Sequence, residues 1–168
     1  MADRRIATGA AVLILGCALG ATLIAPPAPR LLWNASASSP VGLYAVSPGA
    51  AIGPGDWVVV RMPEVARDLA ARRHYLPANV PLVKRVAAIA GQRICASGAR
   101  IDIDGIPAAP RLGRDPQGRP LPQWQGCRTL ARDQLLVLGS APGSFDGRYF
   151  GPVTGTAVIG RAVPLWTW

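Results

Sequence analysis

The chain has 168 residues, 18 Lys+Arg against 9 Asp+Glu, a formal charge of +9 and 50% hydrophobic residues. With a membrane segment set aside, that length leaves one compact domain of roughly 140 residues and argues against a second. The arginines run from Arg4 to Arg161 with no dense block and little aromatic interleaving, which argues against a nucleic-acid partner and for a basic surface facing anionic lipid or water. A single histidine, His74, and scattered acids argue against a metal site.

Arg4 and Arg5 precede an uncharged run of twenty residues, Ile6 to Ala25, enough for a helix to cross a hydrocarbon core of about 30 Å. The alternative is a cleaved signal peptide ending at Leu23-Ile24-Ala25. Pro26 would then follow the cut directly, and the run is longer than a usual signal-peptide core. The expected organisation is therefore a cytoplasmic N-terminus (1–5), a transmembrane anchor (6–25), a Pro-rich juxtamembrane linker (26–33) and a domain (34–168) outside the membrane, in a periplasm-like compartment. Leu31, Leu32 and Trp33 read as an apolar patch at the lipid interface.

Beyond Asn34 the pattern is one of short strands punctuated by Pro and Gly, and it predicts a mainly β chain. Strands are expected at Leu43 to Val46, Asp56 to Arg61, Leu82 to Ile89, Arg100 to Asp104, Gln134 to Leu138 and Ala157 to Val163. Asp104-Gly105 supplies a hairpin turn. Pro63 to Arg73 is the helix candidate, with Val65 and Leu69 four apart, and Arg111 to Gln125 reads as a long surface loop. Cys17 falls in the apolar run. Cys95 and Cys127 form either a bridge, which would contribute about 3 to 4 kcal/mol in an oxidising compartment, or two separate buried thiols.

Three stretches carry candidate chemistry. In Asn34-Ala-Ser-Ala-Ser-Ser-Pro-Val-Gly-Leu-Tyr44 three hydroxyls, Ser36, Ser38 and Ser39, lie just before a turn forced by Pro40 and Gly42. A serine nucleophile needs a base. The chain has one lysine, Lys84, against 17 arginines, and only lysine becomes neutral when desolvated. As a strand, Leu82, Lys84 and Val86 share one apolar face. A snorkelling lysine whose ammonium reaches solvent is the competing reading. The third stretch, Leu138 to Pro152, offers Ser144 and Asp146, the latter able to pair with Arg148; alone it is an ordinary solvated turn.

Taken together and in this order, these stretches resemble the signal peptidase I superfamily of Ser/Lys serine proteases, and most of all its TraF-type branch, the conjugative-transfer peptidases that mature propilins. The resemblance rests on Ser38-Ser-Pro-Val-Gly-Leu-Tyr44, Gly53-Pro-Gly-Asp-Trp-Val-Val-Val60, Lys84-Arg85-Val86 and Ser144-Phe-Asp-Gly-Arg-Tyr-Phe-Gly151. It implies a signal-peptidase-like antiparallel β domain behind one N-terminal transmembrane helix. It also implies Ser38 as nucleophile, Lys84 as general base and Ser144 as the hydroxyl that orients the lysine amine. Asp146 becomes a supporting carboxylate paired with Arg148, and Ser36 joins the Ser38 backbone N–H as an oxyanion donor. Ser39 is expected to tolerate alanine. Ala37 stands where the housekeeping pattern has its nucleophile, and Ser140-Ala-Pro-Gly143 replaces that pattern's acidic loop.

The implied reaction forms an acyl-enzyme on an exported pilin precursor with small side chains at the first and third positions before the cut. Water resolves it, or an amine does so by transpeptidation or cyclisation. No cofactor is implied. Three other readings stand beside this one: a general signal peptidase I acting on other signal-peptide-bearing proteins, a cytoplasmic self-cleaving repressor, which would need a DNA-binding helix pair where this chain has its apolar run, and a non-enzymatic envelope assembly component.

Overall fold

The computed structural model describes residues 2–24 and 29–168. Helix α1 is Ala2–Ile24. The expected span lies on this helix, but its end at Ala25 and the linker residues Pro26, Pro27 and Ala28 fall outside the described residues. Among the described residues no helix is long and apolar enough to cross a membrane. Along α1, Val12, Leu13, Ile14, Leu15 and Leu19 are 62 to 70% exposed.

The rest of the chain is mainly β and wholly antiparallel in its strand pairing. Strands β1 (Leu31–Asn34), β2 (Gly42–Ser47) and β3 (Trp57–Val60) precede helix α2 (Glu64–Arg72). Next come β4 (Leu82–Ala88), β5 (Arg93–Ser97), β6 (Arg100–Ile103), β7 (Ile106–Pro110) and β8 (Gly126–Thr129). The chain closes with β9 (Gln134–Leu138), the single turn α3 (Gly147–Phe150), β10 (Val153–Thr154) and β11 (Val158–Thr167). A seven-stranded sheet has the order β1-β2-β11-β3-β4-β9-β10, and a four-stranded sheet has the order β7-β6-β5-β8.

Alternation along the central strands fixes the two faces of the large sheet. Val58 and Val60 of β3 pack with Val86 and Val137 on one face, while Val59 packs with Tyr44, Val46 and Val83 on the other. The register Val58↔Lys84 and Val59↔Val83 places Lys84 on the Val58 face, in line with Val86. A third cluster, built on Ala88, Ile94, Ile101 and Leu136, joins the small sheet to the end of the large one.

Three expectations need correction. Leu31, Leu32 and Trp33, placed in the linker, form strand β1 with Asn34, paired to β2 from Leu31↔Ala45 to Asn34↔Gly42. In α2 the buried stripe is Ala66 and Ala70, and Val65 is 82% exposed. Ala66 and Ala70 cluster with Met62, and Tyr75, Leu76, Leu82 and Phe145 pack against this stripe. Finally, the segment 111–125 is a loop by path but is tied down at several points. The buried Arg111 guanidinium donates to Gly98 O and Trp124 O, Leu112 N donates to the Tyr149 hydroxyl, and Trp124 Nε1 donates to Gly147 O.

Candidate active site

The serine stretch is a tight loop between β1 and β2, and Asn34 folds it. The Asn34 carboxamide nitrogen lies 3.0 Å from Ser36 O, 3.2 Å from Ser39 O and 2.9 Å from Pro40 O, while its oxygen accepts from Ser36 N at 3.2 Å. Two N–H hydrogens shared among three carbonyls hold the backbone in a ring around Ser38. Tyr44 adds a hydroxyl bond to Pro40 O at 2.7 Å. At the exit of the loop, Gly42 has φ +145°, and a Cβ there would lie 2.0 Å from Trp166 O, so only glycine lets β2 start against the last residues of β11. Residue-type reasoning missed Asn34. Its signal was present in the Asn-Xaa-Ser spacing, since asparagine binds backbone two residues on in an Asx turn.

The structure brings Ser36, Ser38, Lys84 and Ser144 together. The Lys84 amine donates to Ser38 Oγ, and it donates to Ser144 Oγ at 2.9 Å. Ser36 Oγ lies 2.8 Å from Ser38 Oγ and accepts from Ser38 N at 3.4 Å. Lys84 is 2% exposed, which rules out a snorkelling ammonium in this fold. Burial among the sheet's apolar side chains pushes its pKa down to about 8; the Asp146 carboxylate partly restores it and the Arg148 guanidinium lowers it further.

The segment after β9 forms the third side. Asp146 is fully buried, and its carboxylate accepts from Gly139 N at 2.7 Å and Arg148 N at 3.0 Å. Arg148 Nε lies 3.5 Å from Asp146 Oδ1, and its terminal nitrogens donate to Ala141 O, Pro142 O and Gly139 O. The pair thus acts as an internal frame that curls residues 139–144 around and sets Ser144 toward the lysine. Gly139 sits in the crowded centre: a Cβ there would lie 2.3 Å from Ser144 Oγ and 2.7 Å from Ser38 O. Ser140 N also donates to Ser38 O at 3.2 Å. Cys95 and Cys127 lie apart from this site, opposite one another on β5 and β8 with their sulfurs bonded and Cα atoms 4.0 Å apart.

Ser39 departs from the expectation that alanine is tolerated there. Its side chain is buried, and the hydroxyl donates to Val83 O at 2.6 Å, joining the serine loop to the strand that carries Lys84 at the residue next to it. Ser39→Ala leaves Val83 O without that donor, at a cost of about 1 to 3 kcal/mol. The expected result is a lower melting temperature together with several-fold slower turnover, and Ser39→Thr restores most of both. Turnover and stability both at wild-type level in Ser39→Ala, read by peptide cleavage and calorimetry, would remove Ser39 from the frame.

A serine hydroxyl beside a buried amine, with a second hydroxyl on the same amine, thus sits on antiparallel β structure. The family described as signal peptidase, peptidase S26 matches residues 4–168, and the chain belongs to it. It is 33% identical to the plasmid transfer protein TraF of Escherichia coli over 97% of this chain and 93% of that protein. It is also 33% identical to a probable conjugal transfer protein TraF of Sinorhizobium fredii (strain NBRC 101917 / NGR234), over 80% of this chain and 76% of that one. A signal peptidase I of Leptolyngbya laminosa is 34% identical over 51% of this chain and 40% of its own length.

Proposed function

We propose that this chain is a membrane-anchored serine endopeptidase that cleaves an exported precursor, of the propilin class, outside the cytoplasmic membrane. The observation that carries the reading is the buried Lys84 amine on Ser38 Oγ, with its pKa brought to about 8. A neutral amine at that place takes the Ser38 proton as the hydroxyl attacks the scissile carbonyl. Ser144, held by the Asp146–Arg148 frame, keeps the amine aimed at Ser38. The Ser38 backbone N–H and the Ser36 hydroxyl, which meet each other without substrate, turn to the oxyanion when a carbonyl enters. The reaction then passes through an ester on Ser38 that water resolves.

Plasmid transfer and conjugal transfer in the names of the relatives support a pilin precursor as substrate over a general set of secreted proteins. The anchor is proposed from the uncharged run Ile6 to Ala25 behind Arg4 and Arg5, and from the exposed apolar side chains of α1. Trp33, Trp166 and Trp168 add an exposed aromatic cluster beside the serine loop, with ring centroids 5.3 to 6.4 Å apart, suited to the lipid interface.

Co-expression of a propilin with this chain tests the reading by intact mass of the mature product. The expected product is shortened when Ser38 is present and stays at precursor mass with Ser38→Ala. Capture of the ester by an amine within the pilin gives a cyclic product about 18 Da lighter than the linear product of the same cut, which separates transpeptidation from hydrolysis. A precursor mass unchanged by the wild-type chain, alongside cleavage of ordinary signal peptides, would assign the protein to general signal-peptide removal. No cleavage of either would leave an assembly component.

A further inference from the structure

The cleft beside Ser38 and Lys84 encloses about 840 Å³ and runs past the start of β4 to the end of α2 and the tip of the tied-down segment, residues 113–121. That tip is a mounted hairpin. Leu121 N donates to Gly113 O and Asp115 N to Arg119 O, with Gly118 at φ +74° in the turn. Asp115 latches it to α2's end: the carboxylate, whose side chain is 2% exposed, accepts from the Tyr75 hydroxyl, from Arg119 Nε at 2.7 Å, and from Gln117 N and Arg119 N at 3.0 and 2.8 Å. Arg73 Nη1 approaches it at 3.5 Å. Burial raises the carboxyl's pKa, but the bonds from Tyr75 and Arg119 outweigh it and hold the value at about 2, so the latch is ionised at any working pH.

Three charged side chains line this cleft: Lys84, Arg114 and Asp115. Lys84 is engaged by Ser38 and Ser144, and Asp115 by the donors just named. Arg114 is exposed and uses Nη1 on Gly118 O at 2.6 Å; its Nε and Nη2 donors have no partner among the described residues. The rest of the lining is largely apolar, including Leu82, Leu112, Leu121 and Phe145. A guanidinium on a hydrogen-bonded hairpin that lines a largely apolar cleft is matched by a carboxylate, which it can grip through two parallel N–H bonds.

We propose that the cleft reads an acidic side chain in the substrate polypeptide, with Arg114 as the carboxylate-binding group and hairpin 113–121 as its mount. This rests on the peptidase reading and adds a determinant to it: the precursor carries Asp or Glu at a fixed distance from the scissile bond. Charge complementarity of this kind selects between partners more than it adds affinity, so the effect is graded and shrinks with salt.

The test uses the full chain with Ser38→Ala, in detergent micelles, so that binding is read without turnover. Fluorescein-labelled peptides with a neutral alanine-rich core carry one Glu scanned along the positions on either side, each with a Gln twin, and dissociation constants come from anisotropy at low salt. The expected result is one or two positions at which the Glu peptide binds about fivefold more tightly than its Gln twin. Arg114→Gln brings that ratio to about one, and Arg114→Glu moves the preference to a Lys twin. General attraction to a basic protein would survive Arg114→Gln, so a ratio that persists there overturns the proposal, as does equal binding of the twins at every position. Cleavage of the same peptides by the chain with Ser38 intact separates the two readings. Ser38-dependent cleavage without Glu preference overturns the Arg114 proposal alone. Arg114-dependent binding without cleavage supports Arg114 as a carboxylate site and sinks the peptidase reading.

Discussion

On the proposed mechanism Ser38→Ala is expected to abolish precursor cleavage, Ser36→Ala to lower turnover by on the order of 10², and Ser39→Ala to stay active at a reduced rate. The three hydroxyls lie within four residues, yet the structure gives each a different partner, so the three variants separate by mechanism. Ser38 Oγ alone receives the Lys84 amine, and no other hydroxyl in the loop can lose its proton to that base. Ser36 Oγ sits 3.4 Å from Ser38 N, where it can turn to an oxyanion, and its loss removes one of two donors while leaving the nucleophile in place. Ser39 Oγ points away into the sheet, onto Val83 O. Initial rates on a soluble peptide, with folding checked by circular dichroism, decide the matter. Cleavage by a folded Ser38→Ala chain would move the nucleophile elsewhere, and a Ser36→Ala chain at full turnover would leave the backbone N–H as the only oxyanion donor of the pair.

Lys84 was legible from residue types because it is one lysine among 17 arginines on a strand whose alternation was clear, and that alternation holds against Val58, Val83 and Val86. Its meeting with Ser38 and Ser144 was not legible locally. The partners lie 46 and 60 residues away, and such contacts follow from sheet order, which strand periodicity does not report; only the family resemblance joined them. The hairpin 113–121 was hidden for a different reason. Its order comes from one buried carboxylate and its donors rather than from any apolar repeat, so a Pro-, Gly- and Arg-rich composition reads as a surface loop. Strand β8 was missed likewise: all four of its residues are exposed, so no alternation marks it, and it is held by pairing with β5. β1 escaped notice because Leu31 and Trp33 face outward with an apolar character that also suits a membrane interface.

If Lys84 is the base proposed above, Lys84→Met is expected to stabilise the protein at neutral pH while removing activity, and Lys84→Arg to remove activity without stabilising it. The pKa of Lys84 is lowered from 10.5 in the free side chain to about 8 in the fold, chiefly by burial. Between those two values the unfolded chain holds a proton that the folded chain has released, so stability rises with pH across the window and is lowest below pH 8. The burial of the charged amine at neutral pH therefore costs about 3 kcal/mol, a shift of two to three pKa units at 1.36 kcal/mol each. Methionine has a similar unbranched length and no charge, so at pH 7 its melting temperature exceeds wild type by several degrees, a gain that fades toward pH 10.5. Arginine stays charged throughout and cannot accept the Ser38 proton. In the wild type the proposed mechanism predicts that the same ionisation sets kcat/KM, which is expected to rise about tenfold per pH unit up to about 8 and then level, the neutral amine being the active form. A kcat/KM flat from pH 6 to 9, or near-wild-type cleavage by a folded Lys84→Arg chain, removes Lys84 as the base. A Lys84→Met chain less stable than wild type at pH 7 would show instead that the bonds to Ser38 and Ser144 outweigh the burial of the charge.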